Sequence, residues 1–228
     1  MITNQYIERK EQKMNVNDVQ GENPQGDKLE LIFEKQRQLM EKYHEIENRQ
    51  GVGYGLLRGQ VFNINEIRSQ ELLKNFAWRV TEELTEASVC FRDYEREHKL
   101  EEIADALHFL VELCIILEIT PERIIRFCLN EAELSDKLEQ LCNVQFPHSL
   151  PSPYPIIEYL GTAMNCLKQK PWKQTHVLTD TEKVIENVVM AFWELCRYWV
   201  RQEEDADSLY NYYFRKNKVN EFRIESNY

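Results

Sequence analysis

Carboxylates stand where apolar side chains should be, and that limits what this chain can fold into. Glu82, Glu83 and Glu86 fall in one helix-like segment, and Glu102 and Asp105 in the next. A residue turns roughly 100° along a helix, so positions three or four apart share a face. Phe76, Val80, Glu83 and Ala87 step by four, three and four, which puts Glu83 inside an apolar stripe. Glu102, Ala106, Phe109 and Leu113 step the same way, and Asp105 has Ala104, Ala106 and Leu107 beside it. Burying ionised carboxylates without compensation costs on the order of several kcal/mol. Four of them on facing helices would also repel one another. Divalent cations resolve both problems, and oxygen-only ligands select a hard ion such as Mg²⁺ or Mn²⁺. An E-E-x-x-E run alone is ordinary on a solvated helix face. Its pairing with E-x-x-D inside an apolar helix makes it informative.

The rest of the chain supports an all-α reading. Gly and Pro number only 7 each in 228 residues, too few for a sheet protein's turns or a glycine-rich phosphate loop. The expected fold is a helical bundle built on a four-helix core of two antiparallel hairpins, occupying residues 29–228 behind a flexible N-terminal arm, 1–28. Helices are expected at about 28–48, 71–95, 97–119, 120–142, 156–169, 182–201 and 206–217. Thr120-Pro121 is a start signal, with Thr as N-cap and Pro in the first turn. Thr179 and Glu182 are spaced as a capping box. Gly51, Gly53, Gly55 and Gly59 mark a loop, and four prolines in 146–155 mark a linker or excursion. Segment 156–201 has a faint likeness to 73–117, without its acids. Trp78, Trp193 and Trp199 sit in apolar stripes and are expected in the core.

Charge and cysteines narrow the functional classes. The formal net charge of −11 shows no basic face, which argues against duplex nucleic acid as a partner. The surplus carboxylates serve either solubility or cations. Six cysteines without a C-x-x-C pair fit reduced thiols in a cytoplasmic setting. Residues 1–28 are polar, unlike a signal peptide. The longest apolar run, Ile103–Ile119, carries Asp105, His108, Glu112 and Glu118, which argues against a membrane span.

The acidic segments read TEELTE (81–86) and EIADALHF (102–109), and the chain ends YYFRKNKVNEFRIESNY (212–228). In that order they resemble the motifs of the all-alpha NTP pyrophosphohydrolase superfamily, which includes MazG-like enzymes, dimeric dUTPases and phage dCTPase/dUTPases. The phage type, which would act in a host cytoplasm, is the nearest pattern. FEKQRQL (33–39) resembles the family's first motif, where Gln36 matches a glutamine that meets the base. PWK (171–173) resembles its Trp-Lys element, although here it follows both acidic segments. Residues of about 120–170 thus read as an insertion. Ile224 and Asn227 stand where the family has Gln and Gly.

The resemblance implies hydrolysis of dUTP or dCTP to the monophosphate and pyrophosphate by a homodimer. It implies metal ligation by Glu83, Glu86, Glu102 and Asp105. Glu83 would orient or deprotonate the attacking water, with Glu86 as competitor and Glu82 outside the ligand set. Lys216, Asn220 and Arg223 share a face if their helix continues, and would offset triphosphate charge. Gln36 would meet the base, Trp172 would stack on it or pack in the core, and Lys173 would reach phosphate. His108 would contact nucleotide, hold a metal ligand, or simply be a buried, hydrogen-bonded histidine. The rival readings are a broader or purine-directed pyrophosphohydrolase, a non-catalytic nucleotide sensor or interaction module, and a purely structural bundle.

Overall fold

The computed structural model describes residues 26–50, 62–89, 95–130, 136–143, 152–170 and 172–226. Among them are eight helices and no strand: α1 (Lys28–Gln50), α2 (Ile67–Val89), α3 (Arg96–Ile116), α4 (Pro121–Leu129), α5 (Lys137–Asn143), α6 (Tyr154–Cys166), α7 (Thr181–Val200) and α8 (Ala206–Glu225). The protein is an all-α bundle. Most of the arm at 1–28, the glycine loop at 51–59 and most of the proline stretch at 146–155 lie outside the described residues.

Two hairpins carry the core. α2 packs along α3, and α6 along α7; α3 meets α7, and α2 meets α6. α1 and α8 pack on each other and on α3, which is therefore the central helix. Its sequence explains this position. Leu100, Ile103, Ala106, Leu107, Leu110, Val111 and Leu113 are all buried, so α3 is apolar around much of its circumference. Phe192, Leu195 and Trp199 of α7 and Leu29, Ile32 and Phe33 of α1 fill the space around it.

Local signals set several helix ends. Thr120 accepts a hydrogen bond from the Arg123 amide at 3.3 Å and Pro121 opens α4, as the sequence indicates. The expected single helix over 120–142 is instead two. α4 stops at Asn130, which adopts the left-handed conformation (φ 55°) that asparagine tolerates, and α5 starts at Lys137. The N-cap of α7 is Asp180, which accepts from the Lys183 amide at 3.1 Å. Thr179 is not in a capping box with Glu182; its hydroxyl accepts from Gln70 Nε2 at 2.9 Å. α8 runs to Glu225 rather than 217. Asp205 and Ser208 form a reciprocal capping box at its start. Trp199 is fully buried and Trp193 half-buried, but Trp78 is 62 % exposed and donates to Glu82 at 2.7 Å. Its stripe faces outward because no other described helix covers that side of α2. No described helix is long and apolar enough to cross a membrane.

Candidate active site

The antiparallel pairing of α2 and α3 brings the acidic segments together. Arg79 lies over the Phe109 ring at 5.3 Å, and Glu83 hydrogen-bonds Glu102, so the two helices run in opposite directions along one seam. At the acidic end, one oxygen from each of Glu83, Glu86 and Glu102 lies within 4.8 Å of the others. Glu102 is buried, Glu83 half-buried and Glu86 exposed. His98 Nδ1 is 3.0 Å from Glu102 Oε1.

Crowding shows in the titration of Glu83. Burial, the hydrogen bond that Glu83 donates to Glu102 and the charges of Asp105, Glu102 and Glu86 push its pKa up to about 8. Asp105 stands beside the three rather than among them. Its Oδ2 pairs with Lys216 Nζ at 2.6 Å, and burial raises its pKa against the opposing pull of Lys216. The donor set therefore fits a hard divalent ion: three carboxylates at chelating separation, with a fourth held next to them by an ammonium.

α8 supplies that ammonium in register. Tyr212 donates to Glu97 at 2.5 Å, Arg215 reaches Glu97 at 2.8 Å and Glu101 at 2.5 Å, and Lys216 reaches Asp105. Glu97, Glu101 and Asp105 are successive turns of α3, so the contacts lock α8 across it. One turn and two turns beyond Lys216, Asn220 and Arg223 face the same cavity as Glu83 and Asp105.

That cavity holds about 560 Å³. Of the acids just described, Glu83 and Asp105 line it. Phe76, Leu72, Phe109, Met40 and Tyr43 also wall it, with Asn75, His44 and Glu112 among them. Beneath it lies a buried polar network. Gln36 Nε2 donates to Glu112 Oε1 at 2.7 Å, and Gln36 Oε1 accepts from the Tyr213 hydroxyl at 2.6 Å. His108 stacks on Tyr213 at 4.0 Å between centroids, with Nδ1 2.8 Å from Gln36 Oε1 and Nε2 3.2 Å from the Tyr213 carbonyl oxygen. Burial holds the His108 pKa down to about 3, so the ring is neutral and has one proton to place. The shorter contact assigns it to Nδ1, donating to Gln36.

Gln36 and His108 thus line the cavity but spend their polar atoms on each other, Glu112 and Tyr213. Trp172 is 77 % exposed and Lys173 is also exposed; both sit on the 167–180 loop, outside the cavity wall. That loop is tied to the start of α2 through Gln70, which accepts from the Gln169 amide at 2.8 Å. Arg79, Asn75, Tyr43 and Glu112 escaped the sequence reading. The spacing Asp105, His108, Glu112 carried a usable signal for the last, since all three lie on one face of α3.

A family model for dUTPase matches residues 90–228. The chain belongs to the dUTPase family. As a member it is a nucleoside triphosphate diphosphatase of the dUTPase type. The matched range contains Glu102, Asp105, His108, Lys216, Asn220 and Arg223, while Gln36, Glu83 and Glu86 precede it. No curated protein and no solved structure matches the chain.

Proposed function

We propose that this dUTPase-family protein hydrolyses dUTP or dCTP to the monophosphate and pyrophosphate, using Mg²⁺ or, in its place, Mn²⁺. The observation that carries the reading is the carboxylate cluster of Glu83, Glu86 and Glu102, which meets a cavity large enough for a nucleotide through Glu83. Asp105 completes the proposed ligand set. A bound divalent cation supplies charge neutralisation on the triphosphate and a water activated near neutral pH.

The chain's own residues do the rest. Glu83 orients the attacking water or takes its proton. Glu86 is the competitor for this role. Arg223 and Asn220 face the triphosphate from α8, and Lys216 joins them when it leaves Asp105. Phe76 and Phe109 exclude water from the nucleoside. His108 and Gln36 shape the floor beneath it. Trp172 and Lys173 are assigned to base and phosphate by the resemblance alone; an unchanged KM in Trp172→Ala would remove that assignment. Residues 29–228 act as one domain, with 120–170 inserted, and the active form is a cytoplasmic homodimer.

A panel of dUTP, dCTP, dTTP, dATP and dGTP with Mg²⁺, read by pyrophosphate release, tests the function. Turnover of dUTP or dCTP above the purines is expected. Equal turnover of all five would favour a broad house-cleaning enzyme, and no turnover a nucleotide sensor.

A further inference from the structure

We propose that Glu112 selects the base in this site, and that it favours a base presenting an amino group, cytosine before uracil. The inference rests on the nucleotide-hydrolysing reading above and deepens it.

Glu112 follows Asp105 by seven residues on α3, two turns along the same face and about 10 Å away. The acids fix the triphosphate end, so Glu112 lies where the nucleoside's far end must fall. The Arg79–Phe109 contact sets the register of α2 against α3, which places Glu112 opposite Asn75 and Phe76. All three line the cavity.

Glu112 is only 8 % exposed, and Gln36 Nε2 holds it at 2.7 Å. Gln36 is in turn fixed by Tyr213 and His108. This fixes the carboxylate's direction before any ligand arrives. A carboxylate only accepts hydrogen bonds, and the side-chain pairing that reads cytosine is a carboxylate accepting from its exocyclic amine. That amine is flanked on its outer side by a C–H, so a carboxylate approaches without meeting a carbonyl. The single ring N–H of uracil sits between two carbonyls, and a carboxylate receiving it sets its second oxygen against one of them. Gln36 acts behind Glu112 as a positioning residue.

The test compares kcat/KM with Mg²⁺ for dCTP, dUTP and the triphosphate of a pyrimidin-2-one deoxynucleoside, which keeps the ring and lacks the amine. Wild type is expected to favour dCTP over dUTP by about tenfold or more, and the pyrimidin-2-one analogue to fall by a similar factor. Glu112→Gln, which can donate as well as accept, should bring dCTP and dUTP within about threefold of each other. Wild type turning over dUTP as well as dCTP, or a Glu112→Gln protein that keeps the wild-type ratio, overturns the proposal. If that variant does not fold, the wild-type ratio and the analogue decide. If no nucleotide is hydrolysed, the catalytic reading fails, and equilibrium binding of dCTP against dUTP decides base selection separately.

Discussion

Glu83 carries an ordinary side chain in an unusual setting: half-buried, facing two other carboxylates, and protonated to about pH 8 in the absence of metal. Its folded pKa lies above the unfolded value of 4.5, so the unfolded state binds fewer protons between those limits. Stability that is present at low pH is therefore lost as pH rises through this window. His108 acts oppositely, because its folded pKa of about 3 lies below the ordinary 6.5; its effect is complete above pH 6.5. From pH 6.5 to 8, of these two groups only Glu83 still changes. Metal-free protein should show a falling Tm over that interval, and Mg²⁺ should flatten the fall. A Tm that rises from pH 6.5 to 8 without metal would contradict the crowding. Glu83→Gln should abolish turnover, keep the fold by circular dichroism, and melt above wild type in chelator at pH 8. Retained activity in that variant would transfer the water-activating role to Glu86.

Among the elements, α8 decides whether the cationic side chains meet the acidic ones. Its start is pinned by Asp205, whose side chain accepts from the Ser208 amide at 2.7 Å. Trp199 Nε1 donates to the Asp205 carbonyl at 2.9 Å, which ties the cap to the core. Asp205→Ala should cost about 1 kcal/mol, lowering Tm by about 2–4 °C. Arg223→Ala, on the continuous helix, should raise KM for the triphosphate about tenfold or more. A normal KM would place α8's end outside the site. Helix starts such as Thr120-Pro121 were legible in the sequence because a cap is satisfied within three residues. The stop at Asn130 was not, since an asparagine turns left-handed only where the surrounding chain makes it do so. The continuation of α8 past 217 was equally hidden: its polar sequence, Lys216 to Arg223, is held helical by partners on α3 and α1, such as the Lys42–Glu221 pair at 2.8 Å. Trp78 shows the same limit. Periodicity placed it on a stripe, but not which neighbour would cover that stripe.

Across the whole molecule, the acids were legible because their spacing on two consecutive helices is a local pattern, and a short link brings such helices together. The floor of the cavity was not. Gln36 meets Glu112 across 76 residues and Tyr213 across 177, and no spacing rule reaches that far. The proposed homodimer belongs to this scale. Ile67, Trp78 and Val89, at 41 %, 62 % and 59 % exposed, recur every eleven residues along α2, close to three whole turns, and so share one face. Sedimentation should give twice the chain mass of 27.4 kDa, and Trp78→Glu should move it toward the single-chain value. A wild-type monomer would remove the dimer, and an unshifted variant would remove this face from it. Above all, α2 and α3 should together aim three carboxylates at one cation. Mn²⁺ titration followed by electron paramagnetic resonance measures this directly in wild type, Glu83→Gln and Glu102→Gln. Binding to wild type should be saturable, and weakened about tenfold or more in each variant. Equal Mn²⁺ affinity in all three proteins would contradict it.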